Sequence, residues 1–344
     1  MNIKTLDEND IDAFVAFIEN FQNDSRSEEF WKSRIINWWK ENPAFEKECI
    51  RGWVLLDNQK KIVGFIGDIP FRFILEGREK LVCNGTTWMV EKKYRSQSLL
   101  LYKKLLDYSN STILFNTTPT KNVEEILGSL KFVKYKLNKR SLIITTFSNN
   151  STRIVNRLIS SISFFLDFFL KYYFRIKLTK GTSDLYAKIL TYDMIDSEFD
   201  VLWNKTKNKY LNTLVRNSKT IKWFLKNEFN GKKILIACYD ENKIRGFAIY
   251  KYVPSKDMSI LDFWFDSGQE NIIKTITMKA IDFAKEHNIG KMYYSHFNPH
   301  VENIFKNIGF FTETIDTRFY YKKTGDSLNQ KTTYLSIILG DRDL

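Results

Sequence analysis

The sequence predicts a mixed α/β (α+β) protein composed of two related domains. The chain has 344 residues, which suits two domains of the common size of about 100–200 residues. The segment 61–66, Lys-Ile-Val-Gly-Phe-Ile, is repeated over 243–248 as Lys-Ile-Arg-Gly-Phe-Ala. Leu-Lys-Phe over 130–132 is repeated as Ile-Gly-Phe over 308–310, at nearly the same separation of about 180 residues. Both repeats indicate an internal duplication.

Predicted helices and strands follow the same order in each half. Two helices come first, and a strand–turn–strand hairpin, a long helix, a buried strand and a short helix follow. The helices and the buried strand are predicted over 11–21, 28–40, 96–108, 113–116 and 121–130 in the first half, and over 197–208, 218–226, 272–286, 291–295 and 300–307 in the second. We expect each half to form a mixed, mostly antiparallel sheet flanked by helices.

A polar run over 148–152, Ser-Asn-Asn-Ser-Thr, predicts the end of the first domain. We therefore expect an N-terminal domain over 1–147, a connecting helical segment over 148–184 and a C-terminal domain over 185–344.

The connecting segment contains an apolar stretch over 154–174. Arg157, Asp167 and Lys171 interrupt this stretch, so we do not expect it to cross a membrane. We favour a connecting helix packed between the domains over an amphipathic helix that lies on a membrane surface.

Composition narrows the class of ligand. The net charge is +13, but the positive charges are spread along the chain without a long basic block, which favours small anionic ligands over nucleic acid. Cys49, Cys83 and Cys238 lack zinc-ligand spacing, so we expect no metal. Because Asp7 and Glu8 precede any apolar stretch, we expect no secretory signal and a cytoplasmic location.

A candidate phosphate site lies where an apolar strand ends and a helix begins. The strand is predicted to end at Val90, and the helix is predicted to begin near Ser96 or Gln97. The first N–H groups of a helix lack intrahelical acceptors and, with the helix dipole, bind anions. Arg95 adds a positive charge beside them. This turn therefore predicts a phosphate cradle.

The same turn resembles a motif of the GNAT (GCN5-related N-acetyltransferase) superfamily, in which Val-x-x-x-x-Arg/Gln-x-x-Gly-x-Gly/Ala binds the pyrophosphate of coenzyme A. Val90 and Arg95 match this motif, while Ser98 and Leu100 stand where the family has small residues. The resemblance implies that coenzyme A is bound by Met89, Val90, Arg95, Ser96, Gln97, Ser98 and Leu99.

The second half departs from this motif. It lacks the basic residue and has Asp266 and Glu270 in its place, so we expect one coenzyme A, bound by the N-terminal half. Over 298–310 it is similar to a later motif of the family, Asn-x-x-Ala-x-x-x-Tyr-x-x-x-Gly-Phe. The tyrosine of that motif, which in the family often protonates the departing thiolate, is replaced by Leu127 in the first half and Phe305 in the second.

The whole pattern resembles tandem-GNAT acyltransferases of bacterial surface-polysaccharide pathways, including dTDP-3-amino-3,6-dideoxyhexose N-acyltransferases that use 3-hydroxybutanoyl-CoA. This resemblance implies transfer of an acetyl or 3-hydroxybutanoyl group from acyl-CoA to the amine of a nucleotide-linked amino sugar. We expect Trp88, Tyr293 and Asn298 to contact the acceptor.

Two residues are candidates for the general base that would deprotonate the acceptor amine. His296 follows a predicted buried strand, and Asp68 ends an apolar strand; active-site residues of such sheets often lie at strand ends. Each has a structural alternative, because His296 also suits a core or surface histidine and Asp68 also suits a cap of the turn before Pro70.

Two other functions are compatible with the sequence. A FemABX-like aminoacyl or peptidyl transferase that uses charged tRNA would suit the basic charge, although the turn over 90–95 favours coenzyme A. A non-catalytic binding or membrane-tethering module with degenerate GNAT domains would suit the two replaced tyrosines and the Phe-rich connecting segment.

Overall fold

The computed structural model describes residues 1–21, 26–135, 139–145, 172, 184–226, 228, 231–266, 269–296, 299–316, 318–323 and 327–335. The predicted connecting segment, 148–184, lies outside these residues except at positions 172 and 184. In the described ranges, no helix has the length and apolar character needed to cross a membrane.

The strands of the described residues are β1 (Asn2–Thr5), β2 (Gly52–Leu56), β3 (Ile62–Asp68), β4 (Phe71–Leu75), β5 (Arg78–Val90), β6 (Ile113–Asn116), β7 (Val133–Lys134), β8 (Lys139–Ile144), β9 (Leu185–Leu190), β10 (Asn212–Leu214), β11 (Lys232–Asp240), β12 (Lys243–Tyr252), β13 (Asp257–Phe265), β14 (Lys291–His296), β15 (Phe311–Thr314), β16 (Tyr320–Lys323) and β17 (Thr333–Tyr334). The helices are α1 (Ile11–Asn20), α2 (Glu28–Ile35), α3 (Ser98–Ser109), α4 (Lys121–Ser129), α5 (Ser197–Thr206), α6 (Ser218–Lys226), α7 (Gln269–Glu286) and α8 (Pro299–Asn307). The predicted helix over 28–40 has these bounds in the structure, but its last turn, Ile36–Lys40, is π-helical.

The strands form two sheets with a common order. In the first sheet the main path is β1-β2-β3-β5-β6-β16-β7, and β4, β10 and β17 extend it from the other half of the long strand β5. The second sheet has the order β9-β11-β12-β13-β14-β8-β15. Neighbours are antiparallel except β5–β6, β10–β17 and β13–β14. The prediction of mixed, mostly antiparallel sheets flanked by helices is therefore confirmed.

Each sheet is completed by a strand from the other half of the chain. β8, which precedes residue 147, lies between β14 and β15 in the second sheet. β16, from the second half, lies between β6 and β7 in the first sheet. The boundaries of the two sheets therefore differ from the ranges 1–147 and 185–344. The division of the chain into domains over these ranges stays a prediction.

Helices cover both faces of the first sheet. Val54 of β2 packs in the core that includes α1 and α2, whereas the next residue, Leu55, packs in the core that includes α3 and α4. Successive residues of a strand point to opposite faces, so α1 and α2 lie on one face and α3 and α4 on the other.

The glycine of the sequence repeat allows a helix to approach the sheet closely. A Cβ atom on Gly64 would lie 3.2 Å from Leu101 of α3, and one on the equivalent Gly246 would lie 2.7 Å from Ile272 of α7. Both copies thus keep glycine where a long helix crosses the third strand of the sheet order.

A buried ion pair links the two sheets. Arg216 follows β10, which belongs to the first sheet, and its Nε and Nη2 atoms donate to the carboxylate of Asp262 on β13 at 2.7 and 3.0 Å. Both side chains are at most 1% exposed. The guanidinium also lies 4.4 Å from the centre of the Trp264 ring. Such a pair is costly to break because the remaining charge stays buried.

Replacement Asp262→Ala is expected to lower the free energy of unfolding by about 3–5 kcal/mol, because it leaves Arg216 charged and buried without a carboxylate. The matched control is Glu313→Ala, which removes an exposed pair with Arg140 in the same sheet and should cost only about 0.2–1 kcal/mol. Denaturant unfolding measures both values, and equal losses would contradict the structural role of the buried pair.

Candidate active site

The first sheet opens between β5 and β6. These parallel strands pair only at Cys83 with Leu114 and at Asn84 with Phe115. Beyond these pairs β5 continues to Val90, while β6 ends at Asn116. Because the two strands part, the backbone of β5 beyond Asn84 forms no hydrogen-bonded pair with β6 along the opening.

A cavity of about 240 Å³ occupies this opening, and we call it the splay cavity. Its walls come from β5, from α3, and from the turn that connects β6 to α4. The lining includes Thr86, Trp88, Met89, Tyr102, Asn116 and Thr118. The predicted ligand-binding residues Trp88 and Met89 thus lie together in one cavity, whereas Tyr102, Asn116 and the threonines were not predicted.

The inner wall of the splay cavity contains a buried tyrosine. Tyr102 is 1% exposed, and its ring lies between Trp88, at 4.6 Å, and Phe132, at 6.1 Å. Burial raises the pKa of Tyr102 well above its usual range, although the neighbouring Asn116 amide lowers it slightly. Tyr102 is therefore a neutral phenol throughout the physiological pH range.

Contacts from Arg318 and from Tyr320 of β16 support the outer wall of the splay cavity. The Tyr320 hydroxyl donates to Glu124 of α4 at 2.7 Å, and Arg318 forms an ion pair with the same carboxylate at 2.9 Å. Arg318 also donates to the carbonyl of Pro119, which lines the cavity, at 3.3 Å. The second half of the chain therefore positions one wall of a cavity in the first sheet.

A second cavity, of about 880 Å³, lies between α1, the β2–β3 turn and the end of β5. We call it the basic cavity because its lining includes Lys60, Lys61, Lys92, Lys93 and Arg95. Within the part of the chain that the structure describes, no carboxylate forms an ion pair with these five side chains. Val90 also lines this cavity, so the predicted phosphate-binding residues Val90 and Arg95 lie together.

The start of α3 differs from the prediction. A 3-10 helix over Lys92–Gln97 leads directly into α3, and the Ser98 N–H donates to the Arg95 carbonyl. That N–H, which was expected to be free for a phosphate, is therefore used within the chain. Ser96, Gln97, Ser98 and Leu99 line neither cavity, and Leu99 is 54% exposed.

The equivalent place in the second half has compensated charges. A cavity of about 490 Å³ lies there, between α5, the β11–β12 turn and the end of β13. Asp266 pairs with Lys205 at 2.6 Å and with Arg245 at 3.4 Å, and Arg245 also pairs with Asp240 at 2.5 Å. The basic side chains of this cavity are thus partly neutralised by its own carboxylates, unlike those of the basic cavity.

The opening of the second sheet is filled by an aromatic side chain. β13 and β14 part after Ile260 and Tyr294. The Tyr334 hydroxyl donates to the Phe263 carbonyl at 2.7 Å and lies 3.1 Å from the Tyr294 hydroxyl. Tyr334, which comes from β17 and is 1% exposed, therefore stands where the first sheet has the splay cavity.

His296 does not lie at either cavity. It ends β14 in the second sheet and is 2% exposed. Its Nε2 atom lies 3.0 Å from the hydroxyl of Ser141 on the exchanged strand β8, and its ring stacks on Tyr294 at 5.1 Å. The position thus favours the alternative of a core histidine over the predicted general base. Tyr293, also on β14, lines neither cavity, and Asn298 lies outside the described residues.

Asp68, the other predicted base, is buried at the end of β3 and lines neither cavity. Its Oδ1 atom accepts a hydrogen bond from the Asn84 N–H at 2.7 Å. Burial raises the pKa of Asp68 to about 7, against the effect of that hydrogen bond. The side chain therefore binds the backbone of β5 just before the strands part, a position that favours the structural alternative over the predicted general base.

The raised pKa of Asp68 predicts a pH dependence of stability. The pKa is about 7 in the folded protein and about 3.9 in the unfolded chain. Between these values only the folded protein holds the proton, so the free energy of unfolding should fall as pH rises from about 4 to about 7, by about 1.4 kcal/mol per pH unit. Above pH 7 this contribution should no longer change.

Denaturant unfolding of the wild type and of Asp68→Asn across this pH range measures the effect. The variant, which cannot ionise at this position, should lose this part of the slope, whereas Asp107→Asn on the exposed side of α3 should keep it. Equal slopes in the wild type and in Asp68→Asn would show that Asp68 titrates normally in the folded protein.

Comparison with known proteins identifies the fold. No protein-family model and no curated protein matches the sequence. A conserved protein of unknown function from Enterococcus faecalis V583, described as a probable N-acyltransferase, is 9% identical with a TM-score of 0.62 over 93% of this chain and 72% of that chain. A GCN5-related N-acetyltransferase from Kribbella flavida is 12% identical with a TM-score of 0.61 over 93% and 70%.

Saccharomyces cerevisiae N-myristoyltransferase with bound myristoyl-CoA is 13% identical, with a TM-score of 0.53 over 93% of this chain and 78% of that chain. At such identities the likeness concerns the fold. The chain has the fold of the GCN5-related N-acetyltransferases.

Proposed function

We propose that this protein is an acyl-CoA-dependent N-acyltransferase. The observation that carries the proposal is the splay cavity at the parting of β5 and β6, with the basic cavity at the end of the same strand. The splay cavity would receive the pantetheine arm and thioester, and the basic residues at the end of β5 would bind the phosphates. Fold neighbours that are N-acetyltransferases, and one with bound myristoyl-CoA, support this reading.

The charged side chains near the C-terminal end of β5 and near that of β13 support a single coenzyme A per chain. The five basic side chains of the basic cavity are available to an anion, whereas in the cavity of the second half Asp266 forms ion pairs with Lys205 and Arg245. Tyr334 fills the second opening. We therefore assign the coenzyme A to the N-terminal half, as the motif over 90–100 predicts.

The proposed transfer is direct, from the thioester to an amine. A cysteine acyl-enzyme would need a reactive thiolate, but burial raises the pKa of Cys49 to about 11 and that of Cys238 to about 12. Burial also raises the pKa of Cys83 well above its usual range. Thiols with such pKa values are poor nucleophiles at neutral pH, so the acceptor amine itself would attack the thioester.

For the acceptor we propose the amine of a nucleotide-linked amino sugar, in line with the tandem-GNAT resemblance. The high net charge suits an acceptor that carries a nucleoside diphosphate. We infer that the C-terminal half, 185–344, completes the acceptor pocket, because Arg318 of this half already contacts Pro119 in the wall of the splay cavity. The proposed acyl donors are acetyl-CoA and 3-hydroxybutanoyl-CoA, as the same resemblance implies.

Binding of acetyl-CoA tests the proposal. Arg95→Ala and Lys61→Ala should each weaken binding about tenfold, the effect of losing one charge-assisted phosphate contact of about 1.4 kcal/mol. Lys243→Ala is the matched control, because Lys243 occupies the repeat position equivalent to Lys61 but lines the cavity of the second half. Calorimetric titration should find that Lys243→Ala binds acetyl-CoA with the affinity of the wild type.

Absence of binding by any acyl-CoA would contradict the proposal. Stabilisation by charged tRNA alone, measured by thermal unfolding at moderate salt, would favour the FemABX-like transferase instead. Binding without any transfer to an amine acceptor would favour the non-catalytic module.

A further inference from the structure

Two side chains that line the splay cavity have buried hydrogen-bond donors without partners. These are the Tyr102 hydroxyl and the Trp88 indole N–H. Among the residues that the structure describes, none meets hydrogen-bond geometry with either atom. Buried polar groups are nearly always paired in folded proteins, so unpaired ones call for an explanation such as a ligand. Two of them at one cavity indicate an acceptor atom within it.

The donors come from elements that are held rigidly. Trp88 lies on β5 and Tyr102 on α3, and their rings are 4.6 Å apart. Phe132 packs against the far side of the Tyr102 ring at 6.1 Å. The Asn116 amide, at the end of β6, lies beside the Tyr102 hydroxyl. Three polar groups on three elements thus meet where β5 and β6 part.

The α4 helix offers no such group at this place. Leu127, the residue of α4 that packs in the same core as Tyr102, is completely buried and apolar. A side-chain hydrogen bond to a ligand at the inner end of the splay cavity would therefore come from another element, and Tyr102 is a buried hydroxyl of the cavity wall.

We propose that Tyr102 and Trp88 donate hydrogen bonds to the acyl thioester as negative charge develops on it, first on the carbonyl oxygen and then on sulfur. Asn116 orients the Tyr102 hydroxyl. This inference rests on the proposed function. It assigns two side-chain donors to the reaction, one of them from α3.

The donors act without giving up their protons. The amine nitrogen forms a C–N bond with its lone pair, while the carbonyl π electrons move onto oxygen. As they return, the C–S bond breaks and its electron pair leaves on sulfur as thiolate, and the amine proton passes to solvent. A coenzyme thiol has an ordinary pKa of about 8.5, far below that of buried Tyr102, so the phenol keeps its proton and stabilises charge through hydrogen bonding alone.

The replacement Tyr102→Phe removes the hydroxyl and keeps the ring. We expect kcat to fall about 10²-fold to 10³-fold, as for loss of one fixed donor to a developing charge, with little change in KM for acyl-CoA. Trp88→Phe, which removes the indole N–H, should also lower kcat. The thermal midpoint of Tyr102→Phe should change little, because among the described residues no hydrogen bond of this hydroxyl meets geometric criteria.

Tyr108→Phe is the matched control. Tyr108 is on the same helix, and its hydroxyl accepts a hydrogen bond from the Ile50 N–H outside the splay cavity, so its kcat should be that of the wild type. A second measurement compares affinity for coenzyme A and desulfo-coenzyme A above the thiol pKa. The wild type should prefer coenzyme A, and Tyr102→Phe should lose that preference.

The outcomes separate the two proposals. An active wild type with unchanged kcat and unchanged sulfur preference in Tyr102→Phe would overturn this inference and leave the proposed function intact. A wild type that transfers no acyl group from any acyl-CoA would contradict both. A lower thermal midpoint with unchanged kcat would show that the hydroxyl is structural.

Discussion

The exchange of β8 and β16 is the constraint on which the rest of the structure depends. Without β16, β6 would be an edge strand, and an unpaired edge strand exposes its backbone hydrogen-bonding groups. Tyr320 of β16 pairs with Asn116, the last residue of β6, and holds α4 through Glu124. The splay cavity is therefore lined by the first half of the chain, while the second half contacts its wall.

The two sheets share their strand order but differ in what fills the opening. In the first sheet the parted strands enclose the splay cavity, and the nearby basic side chains have no carboxylate partners in the described residues. In the second sheet Tyr334 fills the opening and Asp266 neutralises the nearby cations. The buried pair of Arg216 and Asp262 then joins both sheets. The opening of the first sheet thus has room for a ligand, whereas the chain itself fills the opening of the second sheet.

Local patterns in the sequence were sufficient to predict most of the helices and the end of the strand that precedes the basic turn. Apolar spacing identified the helices, and the end of β5 was placed at Val90 with Arg95 beside it. The strand exchange was not predictable, because β8 and β16 have local patterns that fit either sheet and their partners are set by long-range pairing. Tyr102 was missed since its apolar helix position is typical of core packing. His296 and Asp68 stay predictions from their chemistry at strand ends; both side chains are buried and line neither cavity.

The central claim is that the chain binds one acyl-CoA in the splay cavity of the first sheet. A crystal structure with a non-hydrolysable acyl-CoA analogue tests it most directly. The account predicts electron density for the pantetheine arm between Met89 and Thr118, with the sulfur near Tyr102 and with Tyr334 undisturbed in the second opening. Density in the second opening, or on the surface away from both parted strands, would contradict it.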